Sequence, residues 1–184
     1  MSGIKVVFLG ESGIGKSSLI TRYINNNFNE GFMASITAGY VAKRIQYKGQ
    51  EYTFDIWDTP GSQKFRALSK IFLKDVKIII LVYDITVKKT FLELQYWLDF
   101  ILEKHPDALL ILVGNKNDLL NNRKIKKSDG EKFAEVIHAA FAEISAKDDN
   151  GWNDFLDKVF INYLKMREED DKNDDDYFED DILI

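Results

Sequence analysis

The chain has 184 residues, no cysteine and a net charge of −5 at pH 7. This length fits one domain with its own core, and the missing cysteine excludes disulfides and thiolate metal sites. The charge is uneven, because residues 168–184 carry −9 and the remainder +4. A mildly positive body suits an anionic ligand, whereas no Lys/Arg cluster is dense enough for a nucleic-acid surface.

Short apolar runs alternate along the chain with stretches of helical periodicity. In chain order the pattern predicts a strand at Ile4–Leu9, a helix at Lys16–Asn26, a hairpin of Tyr40–Tyr47 and Tyr52–Trp57, a strand at Lys77–Tyr83, a helix at Lys88–Lys104, a strand at Ala108–Val113, a helix at Ser128–Ala140, a strand at Phe141–Ile144 and a helix at Asn150–Lys165. This alternation indicates an α/β fold with a mostly parallel sheet and helices on both faces. Ligands of such folds bind at the carboxyl ends of the strands, so each motif should follow a strand.

The organisation predicted is one domain over residues 3–166 and an acidic tail or linker over residues 167–184. Arg167–Asp181 has little to bury, which is typical of disorder. In the body, Ser128 and Glu131 form a capping-box pattern at the start of a helix. The longest apolar run, Ile78–Tyr83, is too short to cross a bilayer and no signal-peptide pattern is present, so we expect a cytoplasmic protein.

A glycine-rich loop follows the first strand. Gly10–Ser17 reads GESGIGKS and matches G-x-x-x-x-G-K-[ST]. Backbone N–H groups of such a loop and the following helix N-terminus hold phosphates, while Lys16 neutralises the β and γ oxygens and Ser17 binds magnesium. The predicted phosphate-binding residues are Glu11, Ser12, Gly13, Ile14, Gly15, Lys16, Ser17 and Ser18.

Two later loops predict the base. Asn115–Asp118 (NKND) follows a strand, and Asp118 can accept both neighbouring donors of guanine, which adenine lacks. Backbone N–H groups of Ser145–Lys147 (SAK) can donate to the guanine carbonyl. A P-loop kinase or ATPase fits these loops poorly, because adenine would leave the carboxylate without a partner. The predicted base-binding residues are Asn115, Lys116, Asp118, Leu119, Ser145, Ala146 and Lys147.

The motifs GESGIGKS, WDTPG, NKND and SAK, in this order and spacing, resemble the Ras superfamily. The segments Ile56–Gly61, Phe65–Leu68 and Leu81–Thr86 look most like its Rab branch, and the resemblance covers residues 3–166. It implies a P-loop G domain with six strands, exchange of GTP and GDP, and effectors that bind according to the nucleotide. It also implies that Phe28 packs against guanine; a core aromatic is the alternative.

The residues for hydrolysis depart from the family pattern. Relatives place a glutamine directly after the glycine of DxxG, where it orients the attacking water. Here Ser62 follows Gly61 and Gln63 comes one place later. Lys16, Gly61, Ser62 and Gln63 are the catalytic candidates, and we expect slow intrinsic hydrolysis. The alternative is that Ser62 and Gln63 are ordinary polar surface residues and that a partner protein supplies the residues for hydrolysis.

The predicted magnesium ligands are Ser17, Ser35 and Asp58, the last through water. Relatives place a threonine nineteen residues after the loop lysine, a position that Ser35 occupies here. Thr37, two places on, is the rival. The surrounding segment is rich in small residues, which suits a switch that becomes ordered by the γ-phosphate.

The function predicted is a small GTPase-type switch with Rab-like regulation of vesicle traffic. A pseudo-GTPase scaffold that binds nucleotide without useful turnover is the alternative. Effectors, exchange factors and GTPase-activating proteins are expected near residues 29–41 and 59–74. Because the chain has no cysteine, it offers no prenylation site, and we interpret it as a truncated piece of a longer protein; a naturally unlipidated or multi-domain relative is the alternative. An anchor or partner would then place it at the cytosolic face of endomembranes.

Overall fold

The computed structural model describes residues 3–25, 39–62, 64, 70–148 and 151–179, with side chains through residue 170. The strands are β1 (Ile4–Leu9), β2 (Gly39–Tyr47), β3 (Gln50–Asp58), β4 (Ile78–Asp84), β5 (Leu109–Asn115) and β6 (Ala140–Glu143). The helices are α1 (Lys16–Asn25), α2 (Lys88–Leu92), α3 (Leu94–Lys104), a 3-10 helix (Asn117–Asn122), α4 (Lys127–Val136) and α5 (Trp152–Glu179).

The six strands form one sheet in the order β2-β3-β1-β4-β5-β6. β2 and β3 pair antiparallel through a hairpin, and the other four pairings are parallel. The hairpin turns at Lys48 and Gly49, whose φ angles of 49° and 79° match the twist of tightly connected strands. The predicted α/β class, the mostly parallel sheet and the hairpin are therefore confirmed.

Two apolar cores lie on the two faces of the sheet, because successive side chains of a strand point to opposite faces. In β1, Val6 and Phe8 join the core that includes α1 and α5, whereas Val7 and Leu9 join the core that includes α3 and α4. β4 is buried along its whole length, which explains its unbroken apolar sequence. Because β3, β1, β4, β5 and β6 run parallel, their carboxyl ends lie at one edge of the sheet.

The helix predicted over Lys88–Lys104 is two helices, with Glu93 between them at ψ −10°. Thr90 fixes the first piece to the end of β4, because its hydroxyl accepts the Asp84 N–H at 3.0 Å. The second piece buries Leu94, Trp97 and neighbours against the sheet. Helical periodicity continues across the break, so the sequence predicted one helix.

The capping box predicted at Ser128 is wrong. Helix α4 has Lys126 as its N-cap, and no side chain caps it. The Lys126 carbonyl already accepts the Asp129 N–H at 3.0 Å, so the first turn forms before Ser128. The helix ends at Val136, before the predicted end, because His138 has a φ of 53° and Ala140 pairs with β5.

Helix α5 continues past its predicted end at Lys165 to Glu179, so it covers most of Arg167–Asp181, and the disorder predicted for that segment is wrong over this range. Glu168 contacts the hairpin turn, where the Lys48 ammonium lies 2.5 Å and the Tyr47 hydroxyl 3.3 Å from its carboxylate. A helix makes its backbone hydrogen bonds locally, so it can extend beyond the core that starts it. Like the other helices of the described residues, it lacks the long apolar stretch needed to cross a membrane.

Candidate nucleotide site

The glycine-rich loop connects β1 to α1 at the carboxyl end of the sheet, as predicted. Gly10 has a φ of 137°, and a Cβ there would lie 2.3 Å from the Val82 carbonyl oxygen. Gly15 has a φ of 94°, and its Cβ would lie 2.4 Å from Nδ2 of Asn115. Both glycines are therefore required for the loop to pack against β4 and β5. Ile14 holds the middle of the loop in the core.

The other predicted phosphate-loop residues lie around this core. Ser12 and Gly13 are exposed at the tip, and Glu11, Ser17 and Ser18 are half-buried. In glycine-rich loops of this type, successive backbone N–H groups form a concave anion-binding surface. That arrangement can hold an anion without a further cationic side chain at the tip.

Lys16 turns back across the loop. Its ammonium donates to the carbonyl oxygens of Gly10 at 3.0 Å and Glu11 at 2.9 Å, and the residue is 6% exposed. Burial lowers the pKa of Lys16 to about 8, although the charges of Asp58 and Glu11 oppose the shift. A phosphate beside this ammonium would favour its charged form.

Gly61 closes the same loop from the other side. A Cβ on Gly61 would lie 2.4 Å from the Glu11 carbonyl oxygen and 2.5 Å from Nζ of Lys16. Thr59 holds this segment, because its buried hydroxyl donates to the Phe8 carbonyl at 2.6 Å. Gly61 is thus placed at the phosphate loop beside the lysine. Ser62 is half-buried next to it.

Two predicted magnesium ligands meet below the loop, where the Ser17 hydroxyl donates to Oδ2 of Asp58. A hydroxyl and a carboxylate side by side fit magnesium, which takes oxygen ligands and completes its shell with phosphates and water. Within the part of the chain that the structure describes, no group of three or more His, Asp or Glu side chains is placed to hold a metal ion, so this pair would need such added ligands. Phe28, Ser35, Thr37 and Gln63 lie outside the described residues.

Asn115 connects the phosphate loop to the predicted base loop. Its Nδ2 donates to the Ile14 carbonyl at 2.7 Å, and its Oδ1 accepts the Ala146 N–H at 3.2 Å. The residue is 2% exposed. Two loops far apart in sequence are therefore held by the two ends of one amide.

Asp118 lies in the first turn of the 3-10 helix and accepts a hydrogen bond from the Ser145 hydroxyl at 2.7 Å. The Ser145 oxygen in turn accepts the N–H groups of Lys147 and Asp148, both at 3.1 Å. Of the N–H groups predicted to face guanine, those of Ala146 and Lys147 thus have partners inside the loops. Leu119 is exposed beside the carboxylate. A cleft of about 530 Å³ opens at this point, lined in part by Asp118 and Asp148.

Lys116 adopts a φ of 68° and spans two elements. Its ammonium donates to the Gly13 carbonyl at 2.9 Å and lies 2.6 Å from Oδ2 of Asp84, at the end of β4. Asp84 is 3% exposed and also accepts the Thr86 N–H at 2.8 Å. Lys116 therefore connects the tip of the phosphate loop to the sheet.

Sequence reasoning missed Arg22 and Asp84. Arg22 lies in α1, is 9% exposed, and donates to carbonyls of the SAK loop. One basic residue on an amphipathic helix has the pattern of a solvated face, so no motif marks it. Asp84 ends a long apolar strand, and that position was a usable signal, because an acidic residue at the carboxyl end of a buried strand lies at the ligand rim.

A larger cavity of about 860 Å³ lies at the opposite end of the sheet. Its walls include Ile4 and Lys77 at the starts of strands, with Tyr163 and Met166 from α5. The predicted site residues are absent from this lining, so the cavity is separate from the nucleotide site.

Comparisons with known proteins cover both sets of loops. A family model described as Ras family matches residues 5–165. Ras-related protein Rab-22A of Homo sapiens is 34% identical over 171 residues, which are 92% of this chain and 86% of that protein. Rab-22A of Canis lupus familiaris is 37% identical over 145 residues, 78% and 75% of the two chains. Ras-related protein RabC of Dictyostelium discoideum is 35% identical over 156 residues, 83% and 80%.

Proposed function

This chain belongs to the Ras family and is a Rab-like small GTPase, and from that premise we propose that it binds GTP and GDP with magnesium, hydrolyses GTP slowly and regulates vesicle traffic as a switch. The observation that carries the proposal is the Asn115 amide, which bonds the phosphate loop at Ile14 and the base loop at Ala146. The phosphate and base elements then form one continuous site. A ligand with a guanine base and a phosphate chain spans both.

The residues of the loop would bind the phosphates in a defined order. Loop N–H groups and the α1 N-terminus hold the β-phosphate region. Lys16, whose ammonium lies on two loop carbonyls in this structure, would move its bonds to phosphate oxygens. The Gly61 N–H would donate a hydrogen bond to the γ-phosphate, because Gly61 lies against the Lys16 ammonium. Loss of that phosphate would release the segment around Gly61, which is the basis of a switch.

Magnesium would be held by Ser17 and Asp58, with Ser35 as the proposed ligand of the switch segment. The ion would neutralise charge that develops on the phosphate oxygens. Ser17 and Asp58 are already hydrogen-bonded to each other, so both are positioned before the ion arrives. The proposed role of Asp58 is to orient water bound to the ion.

Slow hydrolysis follows from the residues after Gly61. A serine at position 62 is too short to orient the attacking water as a glutamine does, and Gln63 stands one place further along. We expect Ser62→Gln to raise the single-turnover hydrolysis rate while GDP affinity stays unchanged. A wild-type rate equal to that of a relative with the glutamine in place would contradict this proposal.

Partners are expected at the surface formed by β2, β3 and the segment before β4. Tyr40, 56% exposed, packs on Trp57 with ring centroids 5.2 Å apart, and Trp57 packs on Phe72 at 5.4 Å. Partly exposed aromatic clusters of this kind favour protein contacts. Effectors, exchange factors and GTPase-activating proteins would bind here and along residues 29–41 and 59–74. Through such partners the protein would act at the cytosolic face of endomembranes.

The experiment loads the protein with labelled GTP and follows release and cleavage separately, with magnesium and with EDTA. We expect tight, magnesium-dependent binding and slow cleavage to GDP. Binding without any turnover would instead show a nucleotide-binding scaffold. Equal competition by ATP would overturn the assignment of the base.

A further inference from the structure

Arg22 joins the phosphate-binding helix to the base loop. Its Nε donates to the Ala146 carbonyl at 2.8 Å and its Nη2 to the Lys147 carbonyl at 2.7 Å. These are consecutive carbonyls of the loop after β6, 124 and 125 positions from Arg22 in sequence. A planar guanidinium can hold two such acceptors in a fixed relation, which a single-point donor cannot.

The two bonds determine which way the loop N–H groups point. In a trans peptide the C=O and the N–H of one unit point in opposite directions. Arg22 draws the carbonyls of Ala146 and Lys147 toward α1, so the N–H groups of Lys147 and Asp148 point away from α1. Both N–H groups converge on the Ser145 hydroxyl oxygen at 3.1 Å.

Ser145 connects these N–H groups to Asp118, the predicted base ligand. With its oxygen accepting two N–H groups, the hydroxyl proton is directed to Oδ1 of Asp118, 2.7 Å away. Ser145 is fully buried, so its rotamer is restricted by its surroundings. The carboxylate is thereby held in one position before any base arrives, which reduces the ordering cost of binding.

We propose that Arg22 is a positioning residue for base discrimination, acting through the peptide groups of residues 146–148 and Ser145 on Asp118. The inference rests on the proposed guanine-nucleotide binding and adds to it the residue that keeps the base ligand in place. Arg22 contacts the carbonyl oxygens of these peptides, whereas Asp118 is reached through their N–H groups and Ser145, so the proposed role does not require Arg22 to touch the nucleotide.

Arg22 is separable from the docking of α1. The Trp152 indole N–H donates to the Leu19 carbonyl at 2.9 Å, and the Tyr23 hydroxyl donates to Asp157 at 2.5 Å. These contacts fix α1 to α5 without the base loop. Loss of the guanidinium should therefore loosen the loop at residues 146–148 while the helix and the phosphate loop stay in place.

The test compares dissociation constants for GDP and for inosine diphosphate. Inosine diphosphate lacks the 2-amino group from which Asp118 would accept a hydrogen bond. Arg22→Met keeps much of the apolar stem and removes the donors. We expect GDP affinity to fall about tenfold, the scale of one charge-assisted hydrogen bond, and inosine diphosphate affinity to fall much less. Arg22→Lys, which can still donate to one carbonyl, should give an intermediate ratio of the two affinities.

Two controls distinguish positioning from general stabilisation. Tyr23→Phe removes a contact between α1 and α5 and should leave the ratio at its wild-type value. In an Asp118→Ala background, Arg22→Met should produce no further change in the ratio of GDP affinity to inosine diphosphate affinity, because the carboxylate that Arg22 positions is absent. If Arg22→Met fails to fold, the ratio of GDP affinity to inosine diphosphate affinity in Arg22→Lys tests the proposal.

The inference is overturned if the Arg22 variants weaken both nucleotides by the same factor, since a merely structural role predicts that result. It is also overturned if, in the Asp118→Ala background, Arg22→Met still weakens GDP binding more than inosine diphosphate binding. A wild-type protein that binds ADP as tightly as GDP would contradict the proposed function instead, so the two failures are distinguishable.

Discussion

The Asn115 side chain bonds at both ends to backbone groups of other loops, and both bonds are buried. From the sequence, Asn115 is predicted as a base-binding residue. In the folded chain it also fixes the Ile14 carbonyl, 101 positions earlier. Single polar side chains with two distant partners therefore determine how the phosphate and base elements are joined.

Asn115→Ala should lower the free energy of unfolding by about 1–3 kcal/mol for each buried group left without a partner. GDP should also dissociate faster, because the two loops lose their connection. Chemical denaturation and a nucleotide release assay measure these effects. Asn117→Ala is the matched control, since that amide donates to the Glu143 carbonyl at 3.0 Å, at the end of β6. Equal release rates in both variants would contradict the expectation.

The Tyr83 hydroxyl is buried, and within the described part of the chain no group is in hydrogen-bonding position for it. Burial raises the pKa of Tyr83 and the charge of Glu143 adds to the shift, so the hydroxyl stays protonated. Tyr83→Phe keeps the ring and removes the unpaired hydroxyl, so stability should stay equal or rise by about 1 kcal/mol. Tyr23→Phe, which loses its bond to Asp157, should be destabilised in the same thermal or denaturant measurement. A clear loss of stability in Tyr83→Phe would show a hidden partner.

At the scale of elements, contacts with neighbours decide where helices begin and end. Thr90 ties α2 to the end of β4, and α3 resumes after Glu93. Ala140 leaves the predicted helix for a strand because it pairs with Ile111 of β5. The local sequence gives no sign of either boundary, since periodicity continues through Glu93 and alanine favours helix.

The start of α4 can be tested directly. Because Lys126 is the N-cap and no side chain caps the helix, Ser128→Ala should change the free energy of unfolding by less than about 0.5 kcal/mol. A serine that capped the helix would cost about 1 kcal/mol when replaced by alanine. Urea denaturation of the two proteins separates these outcomes. A loss near the larger value would restore Ser128 as the cap.

At the scale of the whole molecule, ligand and fold are linked, because the proposed nucleotide contacts four loops that meet only in the folded chain. GDP at about 100 times its dissociation constant should raise the free energy of unfolding by about 2.7 kcal/mol. Thermal unfolding measures the shift, which EDTA should reduce if Ser17 and Asp58 hold magnesium. ADP at the same concentration is the control and should give no comparable shift. Equal stabilisation by ADP would count against guanine selectivity.

The sequence by itself determined the parallel sheet and the phosphate loop. Buried strands such as Ile78–Asp84 need continuous apolar residues, and the loop at Gly10–Ser17 works through contiguous backbone and glycines, so both leave a local pattern. Asp118 was likewise predicted from its motif, because its proposed chemistry depends on the residue type after a strand.

Only the tertiary structure decided how these parts are joined. Arg22 meets its carbonyl partners 124 and 125 positions away, and Lys116 meets Asp84 across neighbouring strands. The end of α4 likewise depends on pairing of Ala140 with β5. Such partners are fixed by strand order and helix docking, so no spacing in the sequence encodes them. The proposed chemistry of the site is therefore readable from short motifs, whereas the contacts that join its loops lie between segments distant in sequence.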